Sequence, residues 1–131
     1  MSLRLGELAR AVVDRHGGRL VKLLGDGALL RLPDGVSAVA ASFELMDALD
    51  EVDEAGGHTG VHAGPVIERE GDVFGMTVNL AARLSDQAPD GEIYVIDSMV
   101  EGLATAGYQV ERVRSMDLQG VGEVELFRVE R

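Results

Sequence analysis

The sequence predicts an α+β fold, a mostly antiparallel sheet with helices on one face. Three observations lead there. Apolar residues recur at helical spacing in two stretches within the first 54 residues, an Asp-Gly turn separates two apolar runs between 19 and 32, and the closing segment is patterned as a second hairpin. At 131 residues and 46% hydrophobic, the chain can bury a core of its own, and residues 1–131 read as one domain without repeat or linker.

The elements follow in order. Leu5, Leu8, Ala9, Val12 and Val13, with charged residues between them, form a helical stripe that stops at His16-Gly17-Gly18, so the first helix is expected to end at Arg15. Arg19 to Leu32 is a largely apolar run interrupted by Gly25-Asp26-Gly27, whose Asp-Gly pair calls for a tight turn between two antiparallel strands. Pro33-Asp34-Gly35 is a turn, and Val36 to Glu54 repeats Val39, Phe43, Met46, Ala48 and Leu49 on one helical face. His58 to Glu70 reads as a strand with a small-residue core, Thr-Gly-Val-His-Ala-Gly, followed by a second extended piece; small residues there let another backbone approach. Thr77 to Leu84 is helical, Glu92 to Ile96 is a clear strand, and Asp97-Ser98 caps a short helix through Ala106. Tyr108 to Val129 is a hairpin turning near Gly120-Val121-Gly122-Glu123.

Composition removes several function classes. With no cysteine, disulfides and thiolate-bound zinc are excluded, and an intracellular, cytoplasmic protein is favoured. No apolar run approaches a membrane span, so no membrane contact is expected from this segment. A net charge of -11 argues against binding a phosphate backbone, and 4% aromatic residues leave no stacking platform, so nucleic acid is not an expected partner. The same charge means that a nucleotide site here would need divalent cations and the few local Lys and Arg side chains.

Five polar residues stand out: Lys22, Asp26, Asp72, Asn79 and Arg83. Each has an ordinary explanation. Asp26 suits its turn, Lys22 could guard an edge strand although its neighbours Leu20, Val21, Leu23 and Leu24 are all apolar, and Asp72 could serve a turn. Asn79 and Arg83 are four apart on a helix and share one face, which could be a solvated one.

Together, however, they resemble a family. The string Asp72-Val73-Phe74-Gly75, then Val78-Asn79 and Arg83, with Lys22 placed 72 − 22 = 50 residues before Asp72, is similar to the class III adenylyl and guanylyl cyclase catalytic domain, especially its bacterial homodimeric type. The resemblance runs from the first helix to Glu125-Leu126-Phe127-Arg128-Val129. It implies a ferredoxin-like cyclase fold and metal-assisted conversion of ATP to cyclic AMP and pyrophosphate, a lyase reaction. Under it, Asp26 is a ligand of a Mg2+ or Mn2+ pair, and Lys22 and Asp72 read the purine edge in favour of adenine. Asn79 orients the ribose, and Arg83 stabilises charge as pyrophosphate leaves. It also implies a homodimer, with the metal aspartates supplied by one subunit and the other residues by its partner.

Two departures qualify the expectation. The family's first strand, with a second metal aspartate and a phosphate loop, would precede residue 1, and Asp14, near a helix end, cannot replace it. This chain alone is therefore expected to be nearly inactive, with exposed strand edges that promote exchange between copies. In the last hairpin, Leu118-Gln119-Gly120-Val121 stands where relatives often carry a cation for the terminal phosphates; Arg112 or Arg114 is a possible substitute. His58 and His62 are four apart, but Gly60 and the extended pattern argue against a helical zinc pair. The competing reading is a non-catalytic regulatory or dimerisation module on the same fold. A diguanylate cyclase is disfavoured because its Gly-Gly-acidic-acidic-Phe signature is absent, and charge and aromatic content disfavour an RNA-recognition domain.

Overall fold

The structure is a computed structural model that describes residues 3–25, 27–52 and 57–131. Helix α1 (Leu3–Arg15) leads into strands β1 (Arg19–Leu24) and β2 (Gly27–Arg31), then α2 (Gly35–Glu51) and β3 (Thr59–Gly60). Strands β4 (Ile67–Arg69) and β5 (Asp72–Phe74) precede α3 (Met76–Gln87) and β6 (Ile93–Ile96). A 3-10 turn at Asp97–Met99 runs into α4 (Val100–Thr105), and β7 (Gln109–Leu118) and β8 (Gly122–Glu130) close the domain. The predicted α+β order is recovered. Glu54, where the second helix was expected to end, lies outside the described residues.

Among the described residues, backbone pairing divides the strands into three sheets: β1-β2, β4-β5, and a four-stranded sheet ordered β3-β6-β8-β7. All pairs are antiparallel except β3 with β6. The extended segment expected from His58 onward shortens to Thr59–Gly60, followed by irregular chain through Gly64 and Pro65, where a proline lacks the N–H a ladder needs.

One expectation is corrected: the helices do not all lie on one face. Ile93 and Val95 of β6 pack with Val39, Phe43 and Met46 of α2 and Leu103 of α4. Tyr94 and Ile96, pointing the other way, pack with Leu80 and Leu84 of α3. The cause is in the strand itself, since Ile-Tyr-Val-Ile has no polar residue to give to water and all four side chains are buried.

Strand β7 serves both faces through a bulge between Arg112 and Arg114. Val110 joins the α2 side, whereas Met116 and Leu118 join the α3 side, although even spacing would have kept them together. A third core fills the space between α1, α2 and the β1-β2 hairpin, with Leu5, Ala9, Val12, Ala41, Leu45 and Leu49 at its centre. Asp34 caps α2 by accepting a 2.7 Å bond from the Ser37 amide, which also holds its carboxyl below the usual range.

Candidate active site

Lys22 reaches the site because β1 is bulged. The pairing runs Leu20 with Leu30 and then Lys22 with Leu29, so Val21 is an extra residue. Leu20 and Leu23, three apart, consequently both pack into the core under α1, and Lys22 between them is turned outward. There its Nζ donates to Asp72 Oδ2 at 2.8 Å, across 50 residues of sequence. Asp72 Oδ1 accepts from the Val73 amide, also at 2.8 Å. The Lys22 ammonium first, and the Val73 amide second, hold the Asp72 carboxyl below its ordinary value. The side chains are 39% and 30% exposed, so both are reachable from solvent. The Phe74 ring lies 6.0 Å from the Lys22 ammonium and is 47% exposed, an aromatic face that sequence reading passed over although it stands inside the Asp-Val-Phe-Gly string.

Asn79 and Arg83 project from α3 into a groove of about 540 Å³ whose far wall is the β7-β8 turn. Met76, Asp86, Gln119 and Val121 also line it. Both Asn79 and Arg83 are exposed, and among the described residues no hydrogen bond or ion pair engages the Asn79 amide or the Arg83 guanidinium. They are available to a ligand. Helix α3 is seated by Gly60: a Cβ there would meet the Ala81 carbonyl at 2.2 Å and the Ser85 amide nitrogen at 2.3 Å, so only glycine permits this approach. The small-residue segment is thus close-packed against a helix, as expected.

Asp26, the expected metal ligand, lies outside the described residues. Among the described residues no group of three or more His, Asp or Glu side chains is arranged to hold a metal. The histidines have other roles: His58 Nδ1 donates to the Ser85 carbonyl at 2.7 Å, and His62, whose Nδ1 is buried without a partner among the described residues, has its pKa lowered by burial. The suggested cationic substitutes are both engaged elsewhere. Arg112 donates to Glu125 at 2.7 Å and to Ser115 at 2.9 Å, and Arg114 donates to Gln87 at 2.7 Å; neither lines the groove. Gln119 does, a position that the sequence flagged only as a departure.

The fold is that of a cyclase-type domain. The chain belongs to the adenylate and guanylate cyclase catalytic domain family, whose sequence profile matches residues 10–131. It is 33% identical over 117 residues to a pH-sensitive adenylate cyclase of Mycobacterium tuberculosis, an alignment covering 85% of this chain and 30% of that protein. It is 39% identical over 109 residues to an adenylate cyclase of Streptomyces coelicolor, covering 76% and 28% respectively. The chain thus spans less than a third of the curated relatives it matches. An adenylate/guanylate cyclase/hydrolase from Silicibacter pomeroyi shares the fold, with a TM-score of 0.80 at 22% identity over 98% of this chain and 82% of that one. No described helix is long and apolar enough to cross a membrane.

Proposed function

We propose that this domain is the catalytic domain of an adenylate cyclase that acts as a homodimer and converts ATP to cyclic AMP and pyrophosphate with Mg2+ or Mn2+. The observation that carries the reading is the Lys22–Asp72 pair, 2.8 Å apart and open to solvent. An ammonium donor beside a carboxylate acceptor complements adenine, which offers a ring-nitrogen acceptor next to an exocyclic amine. Guanine offers a carbonyl where adenine has that amine, and would set it against Asp72. A carboxyl held below its ordinary pKa stays an acceptor at neutral pH.

In the reaction the ribose 3′-oxygen bonds to the α-phosphorus, the bond to the pyrophosphate oxygen breaks, and the hydroxyl proton is lost. Asn79 would fix the ribose, and Arg83, with no competing partner among the described residues, would carry the charge that grows on the leaving phosphates. A divalent metal held through Asp26 would polarise the phosphates; the described residues supply no further cluster for it.

The second reading, a non-catalytic dimerisation module, is favoured by the composition of the groove, which sets Asp86 against a single cation, Arg83. Cyclic AMP formation by the full-length gene product with ATP and Mn2+ separates the two. The cyclase reading expects turnover that Arg83→Ala lowers about 100-fold in kcat, and preference for ATP over GTP that Lys22→Ala removes. No turnover with either nucleotide would leave the second reading standing.

A further inference from the structure

The pair that would read the base spans two hairpins that share no backbone ladder among the described residues, where β1-β2 and β4-β5 are separate sheets. The spacing of Lys22 and Asp72 is therefore set by side chains. Three of these contacts converge beside the pair. Arg19 and Arg31 sit directly opposite each other in the β1-β2 register, an arrangement of like charges that repels unless neutralised. Glu68 of β4 bridges the two: its Oε1 accepts from Arg19 Nη2 at 2.8 Å and is in contact with Arg31 Nη1. Arg19 Nη1 also donates to the Gly71 carbonyl at 3.1 Å, immediately before Asp72.

We propose that Glu68, gripped by Arg19 and Arg31, is a positioning residue for purine selection, holding the β4-β5 hairpin so that the Asp72 carboxylate stays in register with Lys22. Glu68 pairs with Val73 across β4-β5, so a shift of β4 carries Asp72 with it. The alternative anchor on that hairpin is Val73, which is buried, while its neighbours Ile67 and Phe74 are exposed. One buried apolar side chain fixes the depth of the hairpin better than its direction. The ion-pair clamp adds a directional restraint beside it. The inference rests on reading Lys22 and Asp72 as the base-recognising pair.

The test compares the chain with its Glu68→Gln, Glu68→Asp and Asp72→Asn variants. Affinities for fluorescent N-methylanthraniloyl ATP and GTP give the purine preference. Carboxyl 13C NMR gives the titration midpoint of Asp72 without nucleotide. Glu68→Gln should lower the ATP-over-GTP preference roughly three- to tenfold, the worth of one loosened hydrogen bond, while Glu68→Asp retains most of it. The sign of the NMR change discriminates positioning from simple electrostatics. Removing a neighbouring negative charge would by itself lower the Asp72 midpoint, whereas loosening the Lys22 contact raises it, so a rise is the expected result. An Asp72 midpoint that falls or stays put in Glu68→Gln overturns the proposal, even where neither analogue binds. Unchanged preference in Glu68→Gln, with preference lost in Asp72→Asn, overturns it while leaving the base-reading pair intact. Unchanged preference in both variants overturns the base-reading role, and the clamp with it.

Discussion

Replacing Gly60 by alanine tests whether the β3-α3 contact positions the groove. The added Cβ would lie 2.2 Å from the Ala81 carbonyl oxygen, 2.3 Å from the Ser85 nitrogen and 2.6 Å from Leu84 Cβ, against a practical minimum of 3.0 Å. The shortfall at the carbonyl is 3.0 − 2.2 = 0.8 Å. Two of the three obstructing atoms are helix backbone, so no rotamer can turn away and α3 must move as a body. Ala81 and Ser85 bracket Arg83, which would shift with them. Overpacking of this kind costs about 1–3 kcal/mol, and a displacement near 1 Å at a reacting group costs about 100-fold in rate. Urea denaturation of Gly60→Ala and its parent measures the first quantity, and cyclic AMP formation by the full-length protein the second. Unfolding free energies within about 0.5 kcal/mol of each other would show that the strand accommodates a methyl group, and the seating argument would fail.

Three further outcomes are expected. Leu126→Ala removes a side chain buried between β8 and α3 and should cost about 2–5 kcal/mol in chemical denaturation. His62 takes its proton less readily folded than unfolded, so its contribution is intact above the ordinary value of 6.5 and lost as pH falls through and below it; stability measured between pH 7 and 5 should decline less in His62→Gln than in the parent, and equal declines would refute the assignment. Glu70 occupies the β4-β5 turn at φ 53 beside Gly71 at φ 82, so Glu70→Asn, which tolerates that conformation better, should raise the thermal midpoint.

Element order was legible because each segment carries its own signal. The helical stripe through Leu5 and Val12, the Asp-Gly turn and the Gly-rich last turn all act locally. Placement of the helices was not, because it depends on which side chains meet across the sheet. The unbroken Ile93–Ile96 run did contain the answer, for a strand with no polar residue must be covered twice. Within the site, Lys22 stood out as a charge among apolar neighbours and Asp72 through the Asp-Val-Phe-Gly string, and the structure joins them. The Val21 bulge that aims Lys22 leaves no trace in residue type, and Arg19, Arg31 and Glu68 look like ordinary surface charge until two hairpins bring them together. Gln119 was visible only as a deviation, and its place beside Arg83 required the β7-β8 turn to be laid over α3.

The position of β8 inside the four-stranded sheet also governs how the domain is made. Its residues 122–130 are made after every other element of this domain, yet they lie between β6 and β7 and donate Leu126 and Val129 to separate cores. On the ribosome, α1, the first hairpin and one face of α2 can already close on each other, whereas the α2 face that meets Ile93 and Val95 of β6 is completed by Val129 only when β8 emerges. Arg131, paired with Asp47 and stacked on Phe43, then draws the end of β8 onto a helix translated long before it.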